Sequence, residues 1–516
     1  MATFPQGTPV IIDIGSAYVK AGFAGNPVPQ NIFPTITGKK KYKSIMVDAG
    51  SQMQDLYIGE AAMKLRGVLN LNHPIQRGAI VDWNEYYEIL NHIFYTLLRL
   101  ENPQNHPIIY IESVSEQKDV REFIARVLFE THQFQSIIMI PSPILSCFSV
   151  GLTTGLVIES GDGNSWVVPI INGQIIYRAI QKLALAGTDI IHNLESLLMR
   201  EGISISSSAS SEILKQIKEN YCYVVLDPDN PGALGEKIQY PLPDGSTIEI
   251  PPHILYEATE VMFEPSMIGS NSPSLPEAVL RSLNSIDKSY WGDLLTHIVL
   301  SGGNFLHNGF KERLESELIS LLNQYGPIPK PHKIQTERKV KTLQPVKTVK
   351  KNQDTCPSCG TLVDLSKHSK CPNCGQAMNA VQIDIGSKGK GSIKCPLCNK
   401  EIADSSSLFC PYCGFKLEPE EQKSDLLEQE ADTSEENTPP PPLPNGQDSE
   451  PTEYFTSSSD FLRFFVPDEL QTAIFSGAAI LGSLPSFNQL FITQAEFQAN
   501  REILSRDISE IFSLDF

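Results

Sequence analysis

Two short turns combine glycines with carboxylates and lie between apolar runs typical of strands. The first belongs to "VIIDIGSAYVKAGFAG" and the second to "GLVIESGDGNSWVVPI". Glycine turns let backbone N–H groups approach phosphate oxygens closely, and Asp13, Glu159 and Asp162 are oxygen ligands of the kind that hydrated Mg²⁺ prefers. Lys20 can neutralise phosphate charge. Each turn alone is more typical of an ordinary β-turn, because Gly and Asp are common turn residues. The matched pair, with the third glycine turn described below, predicts a site for a phosphorylated ligand and a divalent cation.

The elements around these turns repeat. The two copies start about 145 residues apart and share the plan of apolar strand, acid, glycine and second strand. This repeat predicts a duplicated domain whose hairpins face one another across a cleft. A third glycine turn, "LSGGNF" at 300–305, follows a strand and opens a helix. Strands such as "IIYIE" alternate with helical stretches such as "FKERLESELISLL", which indicates an α/β fold.

Eight of the ten cysteines form four Cys-x-x-Cys pairs. Eleven residues separate the two pairs within each quartet. Four thiolates at this spacing can complete a tetrahedral zinc site, so we predict two zinc ions in a double zinc ribbon. Redox-active pairs are the alternative, which the equal spacing and the Pro after each first cysteine disfavour. The predicted ligands are Cys356, Cys359, Cys371, Cys374, Cys395, Cys398, Cys410 and Cys413.

Composition shifts mark the boundaries around this insert. Residues 330–351 carry eight Lys and Arg against one acid, and Glu418–Glu436 reverses the charge before the proline run "TPPPPLP". Such compositions are typical of linkers. The predicted order is a globular body in 1–325, a basic linker in 326–355, the ribbons in 356–414, an acidic and Pro-rich linker in 415–460, and the rest of the body in 461–516.

Bulk properties narrow the function classes. The net charge of −19 disfavours unspecific attraction to nucleic acid or anionic membrane. The N-terminus lacks the pattern of a secretory signal, and the apolar stretch 473–492 is interrupted by Pro485 and polar residues, so we interpret it as core. We therefore expect a cytoplasmic protein without a membrane span.

Several segments carry a resemblance to one family. They include "DIGSAYVKAGFAGNPVPQNIFPTITG", "HPIQRGAIVDW", "LAGTDI", "IKENYCYVVLD", "LPDGSTI" and "HIVLSGGNFLHNGFKERLESEL". The sequence resembles the actin and actin-related family over residues 8 to about 323, and again from about 461 to 512. The resemblance implies a two-lobed, four-subdomain fold of the type shared with sugar kinases and heat-shock ATPases, with ATP or ADP and Mg²⁺ in the central cleft.

The resemblance also implies roles for individual residues. Asp13 would hold the cation through water. The two phosphate loops and the sugar and base pocket would be formed by Gly15, Ser16, Ala17, Lys20, Gly161, Asp162, Gly163, Asn164, Gly187, Lys215, Lys218, Glu219, Gly302, Gly303, Asn304 and Leu306.

Three positions depart from the family pattern where ATP is hydrolysed. Ser142 stands where the family has a Gln that orients the attacking water, Trp166 replaces a His of the water chain, and Glu159 replaces an Asp near the cation. Because an indole has only a donor N–H, it cannot relay a proton. We expect binding without efficient hydrolysis; alternatively, Trp166 is a core residue and other groups position the water. His307 and Gln471 are two further changes in the base pocket.

The preferred function is an ATP-binding cytoskeletal or scaffold protein that recruits partners through its zinc ribbons and Pro-rich linker. Candidate partners are the chain itself or actin-like filaments, profilin-type or other actin-regulating proteins, and an unidentified protein ligand of the ribbons. The alternatives are a polymerising actin-like ATPase and a nucleic-acid-associated factor that binds through the ribbons. Divergence from ordinary eukaryotic actin is compatible with an archaeal source.

Overall fold

A computed structural model describes residues 7–41, 55–114, 116–205, 210–232, 235–242, 245–331, 353–355, 362–364, 393–394, 401–402, 455 and 461–505. The chain divides into two compact units. The larger comprises residues 1–337 and 449–516, and the smaller comprises residues 338–448.

The larger unit contains strands in two extended sheets and in several small ones. In chain order they are β1 (Val10–Ile14), β2 (Tyr18–Phe23), β3 (Asn31–Pro34), β4 (Thr37–Lys40), β5 (Leu56–Ile58), β6 (Leu69–Asn72), β7 (Ile75–Gln76), β8 (Ala79–Ile80), β9 (Pro107–Glu112), β10 (Ser136–Pro141), β11 (Gly155–Ser160), β12 (Ser165–Ile171), β13 (Gln174–Ile175), β14 (Gln181–Leu183), β15 (Ile238–Pro241), β16 (Thr247–Ile250), β17 (Ile298–Ser301), β22 (Phe464–Phe465) and β23 (Ile492–Thr493).

Twelve α-helices are found in the described part of the chain. They are α1 (Glu60–Lys64), α2 (Trp83–Asn91), α3 (Lys118–Arg126), α4 (Ser142–Ser149), α5 (Gly187–Arg200), α6 (Ser210–Tyr221), α7 (Pro252–Glu260), α8 (Leu275–Asn284), α9 (Trp291–Leu295), α10 (Phe310–Leu322), α11 (Ala473–Gly482) and α12 (Gln494–Ala499). Two of them, α2 and α3, continue into wider π-helical turns at His92–Leu97 and Val127–Thr131.

The two large sheets share one plan. In the first, with strand order β23-β10-β9-β1-β2-β3, β1 is antiparallel to β2 and parallel to β9. In the second, with order β13-β12-β11-β17-β22, β11 is antiparallel to β12 and parallel to β17. The predicted α/β class is confirmed, and the sequence repeat corresponds to the same hairpin in each sheet.

The C-terminal segment completes both sheets. Strand β22 pairs in parallel with β17, and β23 pairs antiparallel with β10. Between them, α11 packs against α4, where a Cβ on Gly477 would lie 2.1 Å from the carbonyl oxygen of Leu145. Only glycine permits this close approach. The apolar stretch around α11 therefore forms core, as the sequence predicts, and Phe475 and Leu481 are fully buried.

Burial of the apolar residues follows the two sheets. The sheet β23-β10-β9-β1-β2-β3 and the elements packed on it are called the first lobe, and the sheet β13-β12-β11-β17-β22 and the elements packed on it the second lobe. One core lies within the first lobe, around β1, β9, β10 and α2, and another lies within the second lobe, around β11, β17, α5 and α10. A third core packs α4 and α11 against strands of both sheets. The small sheet β5-β4-β6 has a core of its own, formed by Ile36, Ala62 and Leu69. Among the helices of the described residues, none has the length and apolar character needed to cross a bilayer.

The smaller unit is described only at four short strands. Strand β18 (Gln353–Thr355) pairs antiparallel with β19 (Leu362–Asp364), and β20 (Ile393–Lys394) pairs antiparallel with β21 (Glu401–Ile402).

Candidate functional site

The two glycine hairpins meet at a turn contributed by the first lobe. The Gly78 N–H donates to Ser16 Oγ at 3.0 Å, and Asn164 Nδ2 donates to the Arg77 carbonyl at 2.7 Å. A Cβ on Gly163 would lie 2.4 Å from Ser16 Oγ and 2.8 Å from the Gly78 backbone nitrogen, so only glycine fits there. The turn between β7 and β8 thus connects the β1–β2 loop to the β11–β12 loop, as expected for hairpins that face each other.

A cavity of about 450 Å³ lies between these loops, which is in the usual size range of ligand pockets. Most of the residues predicted for nucleotide and cation binding line it. These are Asp13, Gly15, Ser16, Ala17, Lys20, Gly161, Asp162, Gly163, Asn164, Lys218, Glu219, Gly302, Gly303, Asn304 and Leu306. Ser142 and Trp166 also line it, as do the pocket substitutions His307 and Gln471.

Three predicted residues lie just behind the wall. Gly187 begins α5, and a Cβ there would lie 2.6 Å from Lys218 Nζ and 3.0 Å from Asp162 Oδ1. Lys215 and Glu159 are buried next to cavity residues. The tertiary structure thus brings together all the described residues that the sequence assigned to this site.

Opposite charges are paired on each side of the cavity. Asp13 and Lys20 are direct cross-strand neighbours in the first hairpin, and Lys20 Nζ lies 2.7 Å from Asp13 Oδ2. In the second lobe, the buried ammonium of Lys218 lies 3.3 Å from Asp162 Oδ1. Two ammonium groups beside two carboxylates and several glycine N–H groups suit a ligand that is polyanionic and carries a cation.

The third glycine turn is fixed to the second loop. Asn304 Nδ2 donates to the Gly161 carbonyl at 2.7 Å and to Ser160 Oγ at 2.9 Å. Gly302 has a φ of 102°, and a Cβ there would lie 2.3 Å from the Ser160 carbonyl oxygen. Because a side chain fits neither the backbone angle nor the space, the glycine is needed to bring this turn onto the loop.

The three substituted positions are neighbours in the structure; Glu159 and Trp166 are buried, and Ser142 is partly exposed to the cavity. Ser142 Oγ donates to Glu159 Oε2 at 2.7 Å, and Ser146 Oγ donates to Glu159 Oε1 at 2.7 Å. Glu159 pairs across the strands with Trp166, whose side chain is almost fully buried beneath the ammonium of Lys182, 5.0 Å from the ring centroid. Burial raises the pKa of Glu159 to about 7, although the two serine hydroxyls oppose this shift. The hydrogen bond directs the Ser142 hydroxyl proton at the Glu159 carboxyl group.

His307 lies at the wall of the cavity in its neutral form. Its Nδ1 lies 3.1 Å from the Cys222 carbonyl, and burial together with the Lys218 ammonium lowers the pKa of His307 to about 4. At neutral pH the ring therefore adds no positive charge to the pocket.

Tyr18, Arg77 and Glu112 lie at or beside the cavity although the sequence does not assign them to it. Tyr18 lines the cavity, and its phenol hydroxyl lies 3.4 Å from Glu219. Arg77 binds Asp189, and Glu112, which also lines the cavity, binds Arg121 at 2.8 Å. Burial raises the pKa of Glu112 to about 7, while Arg121 opposes this. For Tyr18 the sequence carries a signal, because it lies between the predicted site residues Ala17 and Lys20.

The eight predicted zinc ligands lie outside the described residues. Within the described ranges, no group of three or more His, Cys, Asp and Glu side chains is placed to hold a metal ion. Cys147 and Cys222 are free and buried, as expected for core thiols, and burial raises the pKa of Cys222 to about 12.

The comparison with protein families agrees with the fold and the site. The family model described as Actin matches residues 5–355, which is about two thirds of the chain. The matched range includes both glycine hairpins, the third glycine turn and strands β1 to β17. The chain belongs to the actin family.

Proposed function

We propose that this actin-family protein binds ATP or ADP with Mg²⁺ in the cleft between its lobes and hydrolyses ATP slowly. Bound nucleotide then acts mainly as a structural element of a cytoskeletal or scaffold protein. The observation that carries the proposal is that three glycine turns, Asp13, Lys20 and Lys218 all line the same cavity.

The residues present fit Mg²⁺ and nucleotide. Asp13 would hold the cation through water, while Lys20 and Lys218 would face phosphate oxygens together with the N–H groups of the glycine loops. His307 and Leu306 would line the base side. When bound, the cation neutralises phosphate charge, and the protein side chains fix the orientation of the ligand.

Slow hydrolysis is proposed from the group around Glu159. A water-orienting residue has to present its polar atoms to the attacking water. Ser142 is short, and its hydroxyl donates to Glu159 instead. Trp166 fills the neighbouring cross-strand position with an indole, which has no acceptor atom. Two serine hydroxyls therefore bind the Glu159 carboxyl group. An attacking water would lack the Gln and the His that the family uses to orient it.

The zinc insert is proposed as the recruiting module. Strands β18 and β19 flank Cys356 and Cys359 in the sequence, and β20 and β21 flank Cys395 and Cys398. In the sequence, the first pair of each quartet therefore lies between two strands that pair with each other, and the two strand pairs repeat at the spacing of the two quartets, about 39 residues. This repetition supports two ribbons of one type, each requiring zinc because so short a segment buries little core. The Pro-rich run at 438–444 would bind profilin-type partners.

A polymerising actin-like ATPase is the second candidate. Residues 264–274 resemble the segment of the family that bridges the two strands of a filament. Within this segment, the side chains of Met267 and Ile268 are 45% and 37% exposed. Two exposed apolar side chains on one turn provide a contact for a neighbouring subunit.

Phosphate release and sedimentation of one Mg²⁺–ATP sample distinguish the candidates. The proposal expects ATP to co-purify or bind, to stay largely intact, and to remain with soluble protein. Rapid turnover with a pelletable polymer would establish the polymerising ATPase instead. The matched variant is Asp13→Asn, which keeps the size of the side chain but removes its charge, and it should weaken the Mg²⁺-dependent binding of ATP. Protein that binds neither ATP nor ADP would refute both candidates.

A further inference from the structure

Tyr18 bridges the two lobes at the wall of the cavity. It begins β2 in the first lobe, directly after the glycine loop, and its half-buried side chain extends to α6 of the second lobe. The Lys215 ammonium lies 4.0 Å from the centroid of the Tyr18 ring. The Tyr18 hydroxyl lies 3.4 Å from Glu219 Oε2. One side chain thus contacts two residues that are one turn apart on α6.

The two contacts differ in strength. An ammonium 4.0 Å above an aromatic ring is a close cation–π contact, and such contacts are stronger when they are shielded from water. The hydroxyl contact with Glu219 is long and correspondingly weak. Burial and the neighbouring Glu219 and Glu212 carboxylates raise the pKa of Tyr18, so its hydroxyl keeps its proton and remains a donor. The ring, more than the hydroxyl, carries the bridge.

We propose that Tyr18 is a positioning residue that slows nucleotide release by holding α6 against the first phosphate loop. This inference rests on the proposed nucleotide binding. Tyr18 and Glu219 both line the cavity, and the Lys215 ammonium lies over the Tyr18 ring. The lobes cannot separate along this wall until the Tyr18–Lys215 contact breaks. The same contact fixes Lys215, one of the residues assigned to the sugar and base pocket.

The test is the dissociation rate of 1,N6-etheno-ATP from the full chain with Mg²⁺, chased with excess ATP. Tyr18→Leu removes the ring and is expected to raise the rate about tenfold, the change that corresponds to losing a partly buried cation–π contact. Tyr18→Phe keeps the ring and should stay within about threefold of the wild type. Tyr221→Leu is the matched control, because this exposed tyrosine of α6 contacts Tyr240.

A double-mutant cycle separates positioning from general loosening of the fold. When Lys215→Met is already present, adding Tyr18→Leu should change the rate by less than about twofold, because the contact is absent in both proteins. Tyr18→Met keeps apolar volume without a ring face and serves if Tyr18→Leu does not fold.

Each outcome decides one claim. If wild-type protein binds etheno-ATP and Tyr18→Leu or Tyr18→Met releases it at the wild-type rate, the inference is wrong and the proposed function stands. The same holds if Tyr18→Phe is as fast as Tyr18→Leu, or if the two substitutions of the cycle act independently. Wild-type protein that binds no etheno-ATP and no ATP would refute the proposed function and the inference with it.

Discussion

The guanidinium of Arg77 in the first lobe binds the carboxylate of Asp189 in the second lobe through two hydrogen bonds. Arg77 Nη2 donates to Asp189 Oδ1 at 2.8 Å, and Nη1 donates to Oδ2. Asp189 also accepts from the Ala186 N–H at the start of α5. The carboxylate is thereby fixed to a helix N-terminus, and the pair joins the lobes beside the glycine loops.

Arg77→Ala should loosen this junction. The pair is bidentate but the Arg77 side chain is partly exposed, so it contributes about 1 kcal/mol. We therefore expect a small fall in the free energy of unfolding and faster amide exchange in the β7–β8 turn. Hydrogen exchange measured by mass spectrometry reads out the turn directly. Lys118→Ala, which breaks an exposed pair with Glu502, is the control and should change neither quantity. Unaltered exchange in Arg77→Ala would show that the pair does not hold the lobes.

Restoring the family's hydrolysis residues should restore turnover. The double substitution Ser142→Gln and Trp166→His returns a water-orienting amide and a proton-relaying imidazole, and we expect phosphate release to rise by about tenfold or more. Each single substitution should give less, since both groups serve the same water. Steady-state phosphate release with Mg²⁺–ATP is the measurement. A folded double variant that binds ATP and releases phosphate no faster would locate the cause of slow turnover elsewhere.

Acidification should destabilise the protein through His132. Its ring is buried against Phe94, its Nε2 has no hydrogen-bond partner in the described structure, and burial lowers its pKa to about 4. Between pH 6.5 and about 4, His132 is protonated in the unfolded chain but stays neutral in the folded chain. Stability therefore falls with decreasing pH across this window, by up to about 3 kcal/mol from this residue.

His132→Phe should remove that part of the pH dependence. Urea unfolding at several pH values between 4 and 7 gives the slopes for both proteins. Tyr95→Phe, which deletes only the hydroxyl near His132 Nδ1, should keep the wild-type slope. Parallel slopes for His132→Phe and wild type would contradict the prediction.

Zinc analysis tests the insert. We expect two Zn²⁺ per chain and a loss of about one of them in Cys356→Ser, because a tetrahedral site missing one thiolate binds weakly. Cys147→Ser is the control, since Cys147 is buried in the larger unit and should leave the zinc content unchanged. Metal analysis before and after chelation is the measurement. Protein purified without added chelator that contains no zinc would refute the ribbons.

Removing Arg313 should destabilise the second lobe. Its buried guanidinium lies 2.9 Å from Glu260 Oε1, donates to the Val225 carbonyl at 3.0 Å and lies over the Phe263 ring. Arg313→Met leaves Glu260 with a buried carboxylate and no cation, which costs about 3 kcal/mol. Adding Glu260→Gln should recover part of this loss. Thermal unfolding of the single and double variants checks both expectations, and a single variant as stable as the wild type would contradict them.

Local sequence determined much of this molecule. The alternation of apolar strands with helices determined the α/β class, and "VIIDI" and "FKERLESELISLL" became β1 and α10 with the same limits. The glycines of the loops could be identified from sequence because backbone approach needs a residue without a side chain. The spacing of the cysteine pairs predicts two zinc sites in the same way, because metal geometry requires ligands at short, regular intervals.

Only the tertiary structure decided which distant side chains meet. Arg77 and Asp189 are 112 residues apart, and Tyr18 and Glu219 are 201 residues apart. No local periodicity encodes such contacts, because they depend on how the two lobes pack. The same holds for Ser142 and Glu159, whose hydrogen bond depends on α4 lying beside β11. The sequence by itself determined the chemical groups of the cleft, and the packing of the lobes decided their partners, their burial and hence their charge states.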